Sequence, residues 1–463
     1  MSKEPVTAIF ERHEKNLILH GLTTHDQLLA LDEWAKEEVN RILDSEHPDE
    51  ELKKWLDKLI CGEDHNKLIV FCLLLASKYK SGAKVLKPEF ILLRGLPGGG
   101  KTTLASLSQF FPTKKVGRLT ENALDYLNFN DFDVLYVQEL ADFTGLDNRI
   151  RFMAGDDQGY NVEVTIRNED GSFTTKTYTI PPKVVITTST KVELDPQFER
   201  RAHIIDVDDS PEQTKRVLKW KAELKRQRQL KALGKLDYTD YEKAKAVLFR
   251  LVHEIDPYPV LIPETDLSMF FKRFPTRIRG DYDKLYDFIE LFALLYQRKL
   301  PKIDQCLVAT PEVITRAIEI YFDVLKVFQG NLPPRLVKTY QKVMSWMNDH
   351  GLTSLMKRDL IKIAEELEIT PETLQKYLRD LARYGAFERR THPDDKRIAI
   401  WYPVDGFEVK DEEEWSKAVE EYKRRYMVSE IAEIGKIPEM GGFRDQVGEK
   451  PVSKPQNPEI RET

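Results

Sequence analysis

The feature that most constrains this chain is a glycine-rich turn between a short apolar run and a helical stretch. The apolar run, Phe90-Ile-Leu-Leu93, is typical of a buried parallel strand. The turn that follows, Gly95-Leu-Pro-Gly-Gly-Gly-Lys101-Thr102, fits the pattern GxxxxGK[ST] at every fixed position. Glycines let backbone N–H groups curl around phosphate oxygens, and the start of a helix adds partial positive charge. The turn therefore predicts a nucleoside triphosphate site on an α/β scaffold.

The turn also assigns chemistry to individual side chains. Lys101 is expected to reach the β- and γ-phosphates, and the Thr102 hydroxyl is expected to ligate Mg²⁺. The cofactors predicted here are ATP and Mg²⁺. The residues predicted to contact the nucleotide are Gly95, Leu96, Pro97, Gly98, Gly99, Gly100, Lys101, Thr102 and Thr103.

A second element of the site should be an apolar strand that ends in an acid. Val134-Leu-Tyr-Val137 is followed by Gln138 and Glu139. Glu139 is placed to orient and deprotonate an attacking water molecule. Gln138 stands where a metal-associated Asp is usual, and its amide can still hold a metal-bound water. The predicted metal-associated residues are therefore Thr102, Gln138 and Glu139.

Composition bounds the class of protein. The chain has 463 residues, of which 41% are hydrophobic, so several domains with sizeable cores are expected. Its net charge of -6 excludes a uniformly basic nucleic-acid coat, and its three cysteines form no CxxC pair. The longest apolar run, Leu68–Ala76, is far shorter than the roughly 20 residues of a membrane span. We expect a soluble, cytoplasmic protein with no membrane partner.

Apolar runs and helical periodicity divide the chain into five parts. Further buried strands are predicted at 184–186 and 202–207, so the core should be a parallel α/β sheet. The predicted parts are a helical N-terminal domain at 1–85, the core at 86–212, a helical lid region at 213–335, an α-then-β unit at 336–405, and a charged helix with a disordered tail at 406–463.

The order of these motifs resembles the AAA+ class of P-loop ATPases. Val184-Val-Ile-Thr-Thr-Ser-Thr190 is similar to the strand that carries the polar sensor 1 residue, here Thr188 or Ser189. Arg200 and Arg201 resemble the arginine finger, which reaches a neighbouring subunit's nucleotide. Arg277 or Arg279 is the candidate for the sensor 2 arginine of the lid. The resemblance implies a homo-oligomer, with a hexamer expected.

Between Glu139 and Val184 the sequence predicts an inserted β-hairpin. Its strands are residues 160–167 and 173–180, joined at Asp170-Gly171. The insertion resembles the pre-sensor-1 hairpin of superfamily 3 and MCM helicases, which grips nucleic acid in the channel of a ring. Arg167 and Lys176 are the available cations, although Glu169 and Asp170 at the tip would repel phosphate. Alternatively, the hairpin only packs between subunits.

The unit at 336–405 resembles a winged helix. Two helices, 357–367 and 371–384, are joined by a turn and followed by strands at 386–391 and 397–402. The candidate DNA contacts are Lys376, Arg379 and Arg383 on the second helix, with Arg389 and Arg390 in the wing. The unit is nearly neutral, and protein docking is the alternative for it.

These features together predict an α/β fold with an AAA+ P-loop parallel sheet core, a pre-sensor-1 β-hairpin, helical N-terminal and lid regions, and a C-terminal winged helix. The resemblance implies an ATP-driven oligomeric DNA helicase or translocase for a virus, plasmid or integrated element, with single-stranded DNA in the channel. The first alternative is an AAA+ origin-binding initiator or helicase loader, with slow ATPase activity and no unwinding. The second is a nucleotide-dependent signalling or defence scaffold.

Overall fold

The computed structural model describes residues 25–79, 89–117, 127–138, 153, 159–167, 172–190, 201–263, 267–270, 278–328, 334–383, 386–391, 399–404, 417 and 419–424. None of the helices within these ranges is long and apolar enough to cross a membrane.

A parallel five-stranded sheet forms the centre of the fold. Its strands are β1 (Phe90–Arg94), β2 (Thr113–Val116), β3 (Val134–Val137), β6 (Val184–Ser189) and β7 (His203–Asp206), in the order β2-β3-β6-β1-β7. Every residue of β1, β3 and β6 is buried, as expected for parallel strands covered on both faces. The chain therefore has the predicted α/β core.

Strand β6 separates β1 from β3. β1 pairs with β6 on one side and with β7 on the other, while β3 pairs with the far side of β6. Parallel strands place all their carboxyl ends at one edge of the sheet. The turn after β1, the end of β3 and the end of β6 therefore meet at that edge.

Between β3 and β6 the chain forms a separate two-stranded hairpin. β4 (Tyr160–Arg167) and β5 (Phe173–Ile180) pair antiparallel along their whole length. At the base, Gly159 has φ +73°, and an added Cβ would lie 2.2 Å from the Ile180 carbonyl oxygen. Only glycine therefore fits at this base without strain.

Helices surround the sheet. They are α1 (His25–Leu43), α2 (Pro48–Leu59), α3 (Asn66–Leu74), α4 (Lys101–Ala105), α5 (Pro211–Ala232), α6 (Asp240–Glu254), α7 (Ile278–Ala293) and α8 (Pro311–Phe328). The short strands β8 (Val260–Leu261), β9 (Lys302–Ile303) and β10 (Cys306–Val308) form a small sheet of their own. One continuous hydrophobic core joins these helices, apart from α5, to the central sheet.

Buried polar contacts tie the N-terminal helices to the helices that follow the sheet. Asp49, at the start of α2, accepts hydrogen bonds from the Tyr296 hydroxyl at 2.5 Å and from Arg316 Nε at 2.9 Å. Since the Asp49 carboxylate is buried, losing either partner would leave a costly charge inside the core. The N-terminal helices are therefore anchored by paired charges as well as by apolar packing.

A second hydrophobic cluster forms the C-terminal unit. It contains α9 (Pro334–Asp349), α10 (Lys357–Glu366), α11 (Pro371–Arg383), and an antiparallel pair, β11 (Phe387–Thr391) and β12 (Ala399–Pro403). The Thr370 hydroxyl accepts a hydrogen bond from the Thr373 N–H at 3.2 Å and so caps α11, with Pro371 at the first helical position. The helix, turn, helix and strand pair lie where the sequence predicted them.

Glu290 on α7 makes the stability of this fold depend on pH. Burial, together with the nearby Asp287 and Glu89 carboxylates, raises the pKa of Glu290 to about 8 from its ordinary 4.5. Because the folded chain then holds this proton more tightly than the unfolded chain, the free energy of unfolding falls as pH rises from about 4.5 to about 8.

The substitution Glu290→Gln should therefore stabilise the protein at high pH. The amide stands in for the protonated carboxyl, so we expect a gain of roughly 1–3 kcal/mol at pH 8 and almost none at pH 5. Urea unfolding at both pH values measures the gain, with the exposed Glu33→Gln as control. An equal effect of Glu290→Gln at pH 5 and pH 8 would contradict this explanation.

Candidate nucleotide site

The turn between β1 and α4 has the backbone geometry that its glycines predict. Gly98 and Gly100 have φ values of +80° and +98°, which side chains of L-residues rarely tolerate. Gly95 is required for a different reason, because an added Cβ would lie 2.3 Å from the Val207 side chain. We call residues 95–102 the phosphate loop.

The Lys101 side chain points into this loop and contacts its backbone. Its side-chain ammonium donates hydrogen bonds to the Gly95 carbonyl at 3.0 Å and to the Leu96 carbonyl at 2.6 Å. The α-helix that it begins continues beyond Ala105 only as a 3₁₀-helix, Ser106–Phe110. A dipole from so short a helix is small. If phosphate binds here, the loop N–H groups and the Lys101 charge would therefore supply most of the attraction.

Thr102 lies beside the strand that leads to Gln138. Burial raises the pKa of the Tyr136 phenol on β3, and the neighbouring Thr102 hydroxyl acts in the opposite direction. Thr102 and Thr103 are exposed, as is Gln138 at the end of β3. Within the described part of the chain, no group of three or more His, Cys, Asp or Glu could hold a metal ion.

The end of β6 joins the phosphate loop to β3. The Thr188 hydroxyl donates to the Gln138 carbonyl at 2.5 Å, and the Gly95 N–H donates to the Ser189 carbonyl at 3.3 Å. Both sensor 1 candidates are thus buried at the junction of the loop and β3. Glu139, the predicted base, lies outside the described residues.

Two buried contacts that the sequence analysis missed fix the loop on its other side. Arg94 at the end of β1 makes a bidentate ion pair with Asp206 at the end of β7, with both N–O distances 2.8 Å. Asp209 accepts from the Leu96 N–H at 3.2 Å and from the Tyr377 hydroxyl of α11 at 2.9 Å. The sequence did contain a signal for the first contact. Arg94 and Asp206 have opposite charges and lie at the ends of two strands predicted to be buried.

A cavity of about 620 Å³ adjoins the loop on the β7 side. Its walls come from the segment before α3, from the connection between β7 and α5, and from the C-terminal unit. Asp208, Asp209 and Glu212 contribute carboxylates, and Leu367 and Ile369 contribute apolar surface. The cavity thus combines hydrogen-bond acceptors with apolar walls beside a phosphate loop.

Glu63 lines the same cavity and titrates near neutrality. Burial is the main cause that raises its pKa to about 7, although the carboxylate accepts from the Asn66 amide at 2.6 Å and from the Asp208 N–H at 2.8 Å. Two hydrogen bonds therefore offset only part of the cost of burying this charge.

The candidate arginine finger lies at the opposite edge of the sheet. Arg201 is exposed and precedes β7, whose first residue His203 pairs in register with Ile91 near the start of β1. A four-residue strand spans roughly 13 Å, and the phosphate loop lies beyond its far end. Arg201 is therefore far from its own subunit's loop, whereas Arg200 lies outside the described residues.

Arg277 and Arg279 are the two arginines predicted to contact the nucleotide from the lid, and only Arg279 belongs to the described residues. Arg279 is exposed in the first turn of α7, and Arg277 lies outside the described residues.

The hairpin register separates its two predicted cations. Arg167 pairs across the strands with Phe173, and Lys176 pairs with Val164. Since successive positions of a strand alternate between faces, Lys176 belongs to the opposite face from Arg167. Phe173 is 71% exposed, while Glu169 and Asp170 of the predicted tip lie outside the described residues.

The residues of the C-terminal unit that were predicted to contact DNA differ in their exposure and in their partners. On α11, Lys376 is half-buried and Arg379 is exposed, and Arg383 belongs to the last turn. In β11, Arg389 lies over the Trp401 ring, and Arg390 lies over Tyr402 and pairs with Glu388 at 2.6 Å. Arg379 is therefore an exposed cation of α11, while the β11 arginines already have partners.

Three solved structures show distant similarity to this chain. No protein-family model and no curated protein matches this chain. Two structures of the JCV helicase, one with a bound inhibitor and one with a bound acetamide compound, are 12% identical to this chain, each with a TM-score of 0.28. The alignment with the acetamide complex covers 62% of this chain and 76% of that chain, and the alignment with the inhibitor complex covers 61% and 76%. The Aeropyrum pernix ORC1 protein in complex with DNA is 12% identical with a TM-score of 0.22, covering 79% of this chain and 93% of that one. Similarities this low do not establish shared ancestry or function.

Proposed function

We propose that this chain is an ATP-hydrolysing, oligomeric DNA translocase or helicase of the AAA+ type. The observation that carries the proposal is the arrangement at the carboxyl edge of the sheet, where the phosphate loop, the hydroxyl-bearing end of β6 and the end of β3 meet. Strand displacement on a forked DNA duplex, with ATP and Mg²⁺, tests it.

The proposed site binds the triphosphate and the nucleoside on different sides of β1. The loop N–H groups and Lys101 would hold the phosphates, with the terminal phosphate towards Thr188 and Gln138. The cavity beside Asp209 would take the nucleoside, because carboxylates such as Asp208 can accept hydrogen bonds from ribose hydroxyls.

Mg²⁺ would neutralise charge on the phosphates when it is bound. Thr102 would supply one oxygen ligand, and Gln138 would hold a metal-bound water through its amide. Glu139 would orient the attacking water and accept its proton. Because Gln138 carries no negative charge, the metal would depend mainly on phosphate oxygens.

The position of Arg201 supports action between subunits. An arginine at the amino edge of the sheet cannot reach a nucleotide at the carboxyl edge of the same sheet. The finger, Arg200 or Arg201, would instead stabilise charge on the nucleotide of a neighbour. We therefore propose a ring, with a hexamer as the expected size.

The hairpin is proposed to contact single-stranded DNA in the channel of that ring. Its odd-numbered face contains exposed Asn161, Thr165, Thr175 and Phe173, so nothing within the described chain covers it. An exposed aromatic ring can stack on a base of any sequence, and Arg167 shares its cross-strand position.

Removing the Phe173 ring should weaken this grip without affecting hydrolysis. Loss of one base stack costs about 1–3 kcal/mol, so Phe173→Ala should lower single-strand affinity by roughly 5- to 100-fold. DNA-independent ATPase activity should stay within about twofold, since Phe173 belongs to the separate β4–β5 sheet and not to the phosphate loop. Thr175→Ala, exposed on the same face, is the matched control in a fluorescence anisotropy titration. Equal affinities for the two variants would contradict a stacking role.

An origin-binding initiator or helicase loader is the second candidate. The neutral Gln138 favours it because hydrolysis would be slow, and so does the helix-turn-helix with its strand pair. The initiator hypothesis predicts duplex binding and ATPase activity without strand displacement. A signalling or defence scaffold remains as the third candidate, and it predicts ATPase activity that DNA does not change.

A further inference from the structure

Helix α5 carries a concentration of positive charge, of which only Arg216 lines the cavity beside the phosphate loop. Its eight Lys or Arg residues and two Glu residues give it a net charge of +6, in a chain whose net charge is -6. It follows β7 directly, and the Ser210 hydroxyl caps its first turn by accepting from the Gln213 N–H at 3.1 Å. The N-terminus of α5 is thus capped, and it lies beside the candidate nucleotide site.

Most of this charge faces solvent. Half-buried residues recur at the spacing of one helix face, and the inward stripe consists of Val217, Trp220, Leu224, Gln227 and Lys231. The other seven cations are exposed: Lys215, Arg216, Lys219, Lys221, Lys225, Arg226 and Arg228. The solvent side of α5 is therefore a cationic surface along the whole helix.

Three of these seven cations pair with carboxylates. Lys215 pairs with Glu368 at 2.6 Å, Arg216 approaches Asp208 at 3.5 Å, and Arg226 pairs with Glu223 at 2.8 Å. The remaining four cations make no hydrogen bond or ion pair to another side chain within the described ranges. They are Lys219, Lys221, Lys225 and Arg228. We call these four residues the α5 cations.

The arrangement costs the helix stability. Lys215 and Lys219 are four residues apart, as are Lys221 and Lys225, and like charges at this spacing repel each other by a few tenths of a kcal/mol. A bound polyanion would relieve this repulsion. An ordinary solvated surface would more often alternate opposite charges.

We propose that the solvent face of α5 binds the sugar-phosphate backbone of duplex DNA. This inference rests on the proposed function, because it takes DNA as the partner of the chain. The helix has 22 residues and is about 33 Å long, which matches the length of about ten base pairs. Its outward face lacks an aromatic residue, since Trp220 lies on the inward stripe, so stacking on unpaired bases is not favoured there. Contacts would be to phosphates and hence independent of sequence.

The position of α5 relative to the C-terminal unit adds to this argument. Glu368, the partner of Lys215, lies in the turn between α10 and α11. The amino end of the basic helix is therefore next to the helix-turn-helix. A duplex held at the C-terminal unit would find a second backbone contact along α5.

Salt-dependent affinity of the full chain for a duplex tests the proposal. The variant replaces all four α5 cations with Gln: Lys219→Gln, Lys221→Gln, Lys225→Gln and Arg228→Gln. We expect its affinity to fall roughly 10- to 1,000-fold, and the slope of log K against log salt to drop by about 0.9 for each lost contact. A variant with Lys219→Arg, Lys221→Arg and Lys225→Arg should keep wild-type affinity, because phosphate contact needs only the charge.

The matched control removes the same charge from other exposed lysines, through Lys36→Gln, Lys114→Gln, Lys299→Gln and Lys417→Gln. An α5 variant that binds duplex as tightly as this control would overturn the α5 proposal and leave the proposed function standing. A wild type that binds neither duplex nor single-stranded DNA would overturn both. ATPase activity and melting temperature close to wild type show that the variant is folded.

Two further probes decide the partner. An α5 variant that loses affinity only for single-stranded DNA would overturn the assignment to duplex. Vesicles of phosphatidylserine and phosphatidylcholine supply an anionic surface without DNA. If the variant loses vesicle binding while its duplex affinity stays unchanged, the partner is a membrane surface and the proposal fails.

Discussion

Lys101→Ala should lower ATP hydrolysis by about 10²- to 10³-fold, the loss expected when a preorganised charge is removed from a reacting phosphate. The ammonium group is held inside the phosphate loop by the Gly95 and Leu96 carbonyls, so it needs little rearrangement to meet an incoming triphosphate. Removing it should also weaken nucleotide binding, because the short helix α4 offers little compensating dipole.

Phosphate release by the wild type and by Lys101→Ala measures this effect. Lys114→Ala on the exposed edge strand β2 is the control, and its rate should stay within about twofold of wild type. Hydrolysis by Lys101→Ala at the wild-type rate would show that the phosphate loop is not where ATP reacts.

The second large effect concerns Arg200 and Arg201. Replacing both with Ala should leave nucleotide binding nearly intact and lower hydrolysis by about 10³-fold or more, as expected for an arginine finger. The reason is geometric, since Arg201 lies at the amino edge of the sheet and the loop lies at the carboxyl edge.

Mixing two inactive variants tests whether the finger acts between subunits. Lys101→Ala subunits keep their arginines, and Arg200→Ala/Arg201→Ala subunits keep their loops. After joint refolding in equal amounts, roughly a quarter of the sites would combine an intact loop with an intact neighbouring finger, so ATPase activity should return. A mixture as inactive as its components would contradict action in trans.

The sequence predicted the strands that are apolar throughout. The runs at 90–93, 134–137 and 184–186 correspond to buried β1, β3 and β6, because a strand covered on both faces must be continuously apolar. β6 ends at Ser189, within the strand predicted at 184–190, so Thr187, Thr188 and Ser189 lie inside the strand as expected.

The edge strand β2 was missed for the converse reason. Its sequence, Thr113-Lys-Lys-Val116, has two central lysines that are exposed beside β3. Lysines on an edge strand discourage pairing with other chains, but they also remove the apolar signal of a strand. Local sequence therefore gave no indication of a fifth strand at this position.

The contacts around the loop depend on the tertiary fold and could not be read from spacing. Asp209 and Tyr377 are 168 positions apart and meet only because the C-terminal unit lies against the segment that follows β7. Similarly, the sequence did not show that Arg167 and Lys176 lie on opposite faces of the hairpin. That conclusion needs the strand register, which the predicted turn did not fix.

Strand displacement on a forked DNA duplex, with ATP and Mg²⁺, tests the central claim most directly. The wild type and Lys101→Ala are compared as assembled oligomers of the full chain. We expect displacement by the wild type and none by Lys101→Ala, since movement along DNA would require hydrolysis. An assembled wild type that hydrolyses ATP but displaces no strand would contradict the helicase assignment and favour the initiator or scaffold.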